Sequence, residues 1–173
     1  MKIICTADTH MYHRDFKTIP TGDMFIHAGD FLRSGNFDEL KEFSDWINSL
    51  NFKYKIVVAG NHDGCLQRDR LQSEEILGKE IIYLQDNAVC INGIKIYGSS
   101  WQPRFYNFSF NLVMDINRFG HNHQRGGLWT MENKFLVNAT SWEGERDFSI
   151  FEFDTIKKIV KAIQIPPSGR RIC

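Results

Sequence analysis

Three short apolar runs lie in the first third of the chain, and each ends abruptly in a polar motif. Residues 2–7 run into Asp8-Thr9-His10. Residues 24–28 run into Gly29-Asp30. Residues 55–59 run into Gly60-Asn61-His62-Asp63. Runs of this length, nearly continuous in Val, Ile and Phe, suit buried strands. A helix is expected over residues 36–50, between the second and third runs. Asn36 can cap it with Glu39 three residues on, and Phe37, Leu40, Phe43, Ile47 and Leu50 form one apolar stripe. Each polar motif then falls in the loop where a strand ends. In open α/β sheets, that crevice is where ligands bind.

The remaining elements change character along the chain. Residues 66–77 are expected as a weaker helix closed by Gly78, and 81–84 as a short strand. Residues 88–91 and 94–97 flank Asn92-Gly93, a strong hairpin signal because both turn residues tolerate positive φ. Residues 135–139, 148–153 and 159–165 read as strands, the last two around a turn at Asp154-Thr155. Strand–helix alternation thus comes first and hairpins follow. The expected class is α/β, with a mixed sheet or two packed sheets flanked by helices. One domain over 1–165 is expected, followed by a loose tail at 166–173.

Composition limits the options. A chain of 173 residues, 42% hydrophobic and 24% charged, can bury one real core. A formal net charge of +0 gives no electrostatic footprint for long nucleic acids or an anionic membrane. Cys5, Cys65, Cys90 and Cys173 show neither zinc-finger nor redox spacing, which suits a reducing compartment. The apolar start is too short for a signal-peptide core, and no window approaches the ~20 apolar residues of a membrane helix. The expected location is cytoplasmic.

Each motif has a plain alternative. Asp-x-His after a strand is often a turn Asp and a surface His. Gly-Asp is common turn chemistry. Asn61 suits a left-handed turn. A fourth motif, Gly120-His121-Asn122-His123, puts two imidazoles on one side of an extended segment. The strength lies in the set: Asp, Asn and His recur after apolar runs, and these are hard and borderline metal ligands.

Taken together, these motifs make the chain resemble the calcineurin-like metallophosphoesterases. That family's pattern is Asp-x-His, Gly-Asp, Gly-Asn-His-Asp or Glu, an isolated His, and Gly-His-x-His. Four of the five blocks match in order, between about Ile3 and Ala139. The context of residues 25–31 and Gly98-Ser99-Ser100-Trp101-Gln102-Pro103 looks closest to the small phosphodiesterase-like branch that includes the MPPED-type proteins. The resemblance implies two packed mixed β-sheets flanked by helices. It also implies a first metal on Asp8, His10 and His123, with Asp30 bridging to a second on Asn61 and His121. Mn, Fe, Zn or Mg would suit these ligands, with Mn favoured. Two such ions ~3.5–4 Å apart would share a bridging water or hydroxide and clamp an in-line phosphoryl displacement. His62 would be the general acid toward the leaving alkoxide, or would stabilise the transition state. Asp63 would orient its ring or serve as a plain turn carboxylate.

The chain departs from the pattern in the fourth block. Its six histidines are His10, His13, His27, His62, His121 and His123, so none lies between His62 and His121. In the family, that interval holds a strand and a helix, with the isolated His completing the second metal. A βα segment looks to be missing after about Leu112, which would leave the second metal weak. Three accounts fit: a naturally short chain, a variant with impaired function, or a sequence that lacks part of the polypeptide. Asn111, Asp115 and Asn117 are replacement ligands to weigh. Asp115 leads them, although a solvated loop carboxylate is the plainer account.

Lesser candidates complete the set. His13 could touch a phosphate oxygen; a surface His is the simpler account. His27, within an apolar run, reads as a satisfied core histidine. Arg104 could bind phosphate, and Trp101, Phe105 and Tyr106 could stack on a base, or simply pack in the core. Arg33, Asn36 and Trp142 stay ambiguous. The expected function is a metal-dependent phosphoester hydrolase, specifically a phosphodiesterase acting on small phosphodiesters or nucleotides. The alternative is a degenerate, metal- or nucleotide-binding regulatory protein of the same fold.

Overall fold

The computed structural model describes residues 1–101, 106–111, 127–131, 134–138, 150–154, 156 and 159–164. In chain order the strands are β1 (Lys2–Thr6), β2 (Met24–His27), β3 (Tyr54–Val58), β4 (Ile81–Leu84) and β5 (Asn87–Ile91). They continue as β6 (Ile94–Gly98), β7 (Gly127–Met131), β8 (Lys134–Asn138), β9 (Ile150–Asp154) and β10 (Ile159–Gln164). The helices are α1 (Phe37–Ser49), α2 (Gly64–Arg68) and α3 (Arg70–Leu77). A six-stranded sheet has the order β10-β9-β1-β2-β3-β4. Strands β1 to β4 are parallel neighbours. β9 joins β1 antiparallel, and β10 joins β9 antiparallel. The sheet is therefore mixed, as expected.

Both faces of this sheet are covered, which explains the continuous apolar runs. Successive side chains on a strand point to opposite faces. Ile4, Phe25 and Val57 face a core shared with Leu40, Phe43 and Ile47 of α1 and Leu77 of α3. Ile3, Met24 and Ile56 face the other way, toward Val89 and Ile91 of β5 and Ile96 of β6. The β5–β6 hairpin is thus a second sheet packed opposite the helices. Its turn is the expected one, with Asn92 at φ 51° and Gly93 at φ 79°. Each fully buried Ile, Leu or Phe contributes about 1.5–3 kcal/mol, so the two clusters supply most of the driving force.

The structure bears out one expected helix, divides another and adds a strand. Helix α1 begins where expected: the Asn36 side-chain oxygen accepts the Glu39 N–H at 2.9 Å. The single helix expected over 66–77 is two helices. Asp69, at φ −144° and ψ 87°, breaks it and caps α3 by accepting the Gln72 N–H. No sequence signal marks strand β7, because the Glu132-Asn133 link to β8 carries no glycine or proline punctuation. The tail at 166–173, the interval 112–126, Arg104, Phe105 and Trp142 lie outside the described residues. Among the described residues, no helix is long and apolar enough to cross a membrane.

Candidate metal centre

Parallel pairing of β1, β2 and β3 brings the loops that follow them together at one sheet edge. The first two loops are bonded to each other through their backbones. Asp8 N–H donates to Gly29 O (2.9 Å), His10 N–H to Asp30 O (3.0 Å) and Met11 N–H to Phe31 O (2.9 Å). This pairing holds an unusual backbone. Asp8 (φ 53°), His10 (φ 43°), Met11 (φ 70°) and Asp30 (φ 53°) are all left-handed. Such a conformation costs an L-residue about 1–2 kcal/mol. Strain of this kind gathers where the surrounding structure fixes side chains for chemistry. Gly60 serves the same end from the third loop, since a Cβ there would overlap the Asp30 carboxylate.

Three ligand atoms converge at this edge. One donor atom each from His10, Asp30 and His62 lies within 4.8 Å of the others. His10 and Asp30 are each only 2% exposed. The Asp30 carboxylate accepts the backbone N–H of His62 at 2.8 Å and shares a side-chain hydrogen bond with Asp8. Burial holds the Asp30 carboxyl well above the usual carboxylate range, and the nearby Asp63 and Asp8 charges add to this. Crowded, buried carboxylates call for a cation. Asn61 makes the same demand: it is buried, and its side-chain oxygen and nitrogen have no hydrogen-bond partner among the described residues. A buried, unsatisfied amide costs about 1–3 kcal/mol, and ligation through its oxygen would offset part of that. The donor set therefore fits a hard or borderline divalent ion.

Of the two roles open to Asp63, the structure shows that of a turn carboxylate, and the His62 ring has another partner. The Asp63 oxygens accept N–H groups from Gly60 (2.7 Å), Asp30 (2.8 Å) and Leu32 (2.8 Å). Asp63 thus staples the second loop to the third, and does not orient the His62 ring. Burial pushes its carboxyl up to about 7 against the opposing pull of those amides. The His62 ring is oriented by a group the sequence could not reveal: its Nδ1 lies 2.8 Å from the carbonyl oxygen of Arg33. A main-chain carbonyl leaves no signature in residue identities. The His62 ring also stands edge-on to that of His10, with centroids 4.5 Å apart.

The family model for calcineurin-like phosphoesterases matches residues 1–162. The chain belongs to this family. Metallophosphoesterase domain-containing protein 1 of Homo sapiens is 38% identical over 133 residues, covering 64% of this chain and 40% of that protein. A UPF0046 protein of Caenorhabditis elegans is 39% identical over 116 residues, covering 60% of this chain and 40% of its own length. The chain therefore spans about 40% of the length of these curated relatives, within the MPPED-like branch. The 133 aligned positions take up only 64% of 173 residues. The human relative thus carries residues inside the aligned stretch that have no counterpart here.

Other members of the expected set fare differently. His121 and His123 of the final family block, and Arg104, lie outside the described residues, as do Asp115 and Asn117. His13 is no surface phosphate ligand. It is fully buried, its ring 4.6 Å from that of Trp46 and 5.5 Å from that of Phe43. The apolar stripe of α1 claims it, and burial pushes its imidazole down to about 4. His27 is the core histidine expected, with Nε2 at 2.9 Å from Thr9 Oγ1. Burial lowers its pKa well below the ordinary value. Near His62, the Phe108 ring lies 5.3 Å away, and Tyr106 beyond it is exposed. Trp101 is tied to Asp86 through its indole N–H. Asn111 donates to the Tyr106 carbonyl at 3.0 Å.

Proposed function

We propose that this family member hydrolyses small phosphodiesters or nucleotides with the help of divalent metal, with Mn favoured. The observation that carries this is the convergence of His10, Asp30 and His62 donor atoms within 4.8 Å at the ends of three parallel strands. Asp8, His10, Asp30 and Asn61 would hold metal, together with His121 and His123. Bound divalent ions supply activated water and neutralise charge on a phosphoryl group. The protein's own contribution centres on His62. With Nδ1–H donated to the Arg33 carbonyl, Nε2 would give up the second proton of the imidazolium form to a leaving alkoxide, leaving the neutral Nδ1–H ring. Phe108 and the exposed Tyr106 beside it would pack against the organic part of the substrate, and Arg104 would meet a phosphate oxygen. Cys5, Cys65 and Cys90 are free thiols, which supports a reducing, cytoplasmic setting.

A second proposal has one specific observation behind it. No histidine lies between His62 and His121, so a protein that binds metal or nucleotide without turnover also fits. Hydrolysis of bis(4-nitrophenyl) phosphate with and without Mn²⁺ separates the two. Mn-dependent turnover should fall by at least about 100-fold in His62→Ala. Turnover that is absent from the metal-loaded wild type, or unchanged in His62→Ala, would sink the enzyme proposal.

A further inference from the structure

Glu39 sits on the first turn of α1, yet its carboxylate holds the loop that meets His62. Asn36 is the N-cap, which makes Glu39 the third helical residue. In a capping box, that residue reaches back to the backbone N–H of the cap. Here it reaches further. Glu39 Oε2 accepts the backbone N–H groups of Arg33 (3.1 Å), Ser34 (2.8 Å) and Gly35 (3.0 Å). Bonds to an ionised acceptor are roughly twice as strong as neutral ones, so one carboxylate fixes three consecutive residues.

The same loop delivers the Arg33 carbonyl to His62 Nδ1 at 2.8 Å. Its far end is fixed too. Arg68 Nη2 donates to the Gly35 carbonyl at 2.6 Å. Gly35, at φ 67°, packs so close to the third loop that a Cβ would overlap the His62 carbonyl oxygen. Residues 33–35 are thus a strap strung between an anchored carboxylate and the imidazole. A carbonyl oxygen can only accept, so the strap places the neutral ring's proton on Nδ1 and leaves Nε2 for chemistry.

We propose that Glu39 is a positioning residue that sets the tautomer and orientation of His62 through the 33–35 strap. The proposal rests on His62 serving the phosphoryl chemistry proposed above, but its primary test needs neither metal nor substrate. The tautomer is read from two-bond ¹H–¹⁵N imidazole spectra of the metal-free, ¹⁵N-labelled full chain at about pH 8, where histidine is neutral. His62 is assigned by the loss of its signals in His62→Gln.

Three variants separate positioning from simple helix capping. Glu39→Asp keeps the charge and the helix but shortens the reach by one methylene. Glu39→Gln keeps the reach. Asn36→Ala removes the cap bond to Glu39 N–H without touching the strap. The wild type should show Nδ1–H, and Glu39→Asp should populate Nε2–H beside it. Glu39→Gln and Asn36→Ala should stay with the wild type. In the Mn-loaded chain, Glu39→Asp should lower kcat toward bis(4-nitrophenyl) phosphate about 10- to 100-fold with KM little changed. An unshifted His62 tautomer in Glu39→Asp, or an equal shift in Asn36→Ala, overturns the proposal. A shifted tautomer with no turnover in any form leaves the positioning role standing and removes the phosphodiesterase reading.

Discussion

At the residue scale, the site is a set of buried charges waiting for a counter-charge, and that makes stability depend on pH. Asp63 titrates at about 7 in the folded chain, whereas an unfolded Asp titrates near ~3.9. The folded state therefore holds a proton that the unfolded state has lost, and stability falls as pH rises through that window. Asp30 shifts in the same direction. His13 and His27 act oppositely, because burial lowers both. The unfolded chain binds their protons first, so their contribution is lost as pH falls below about 6.5. The two effects offset each other below about pH 6.5, and only the carboxylates remain above it. In EDTA, Tm should fall between about pH 6.5 and 8, and saturating Mn²⁺ should abolish the fall. A flat or rising Tm in EDTA would contradict this. Asp8, His10, Asp30, Asn61 and His62 could all be read from residue type and position after apolar runs. The Arg33 carbonyl could not, because backbone groups are common to every residue. His13 misled for another reason. A polar residue beside a metal motif looks functional until the aromatic stripe of a distant helix is seen to cover it.

At the element scale, α1 links the core to the site. Its Phe43 stacks on Phe31 with centroids 4.2 Å apart and meets the rings of His13 and His27 edge-on. Phe31 directly follows Asp30, so this contact fixes the second loop from behind. Phe43→Ala should cost about 3–5 kcal/mol, measured by urea denaturation, and should weaken Mn²⁺ binding as well. A loss under about 1 kcal/mol would show that the stack is not the support described. The α1 stripe, its Asn36 cap and the Asn92-Gly93 hairpin were legible because each has a strong local cause. The break at Asp69 was less so. Buried Leu66 and Leu77, on opposite sides of it, would share a face of one continuous helix, and the capping bond to Gln72 N–H decides against continuity.

At the scale of the whole molecule, the order of strands makes the site. Asp8 and Asp63 are far apart in sequence, and parallel pairing of β1, β2 and β3 sets their loops side by side. The α/β class followed from the alternation of apolar runs with an amphipathic helix. The pairing of β9 with β1 could not be read, since no local pattern names a strand's partner. The proposed function requires the first three strand-end loops to hold divalent metal around Asp30. The most direct measurement is Mn²⁺ binding to the full chain, followed by the loss of the free-ion EPR signal, in the wild type and in Asp30→Asn. The wild type should bind Mn²⁺, and Asp30→Asn should bind at least about 100-fold more weakly. No binding by the wild type, or equal binding by the two, would rule out such a centre.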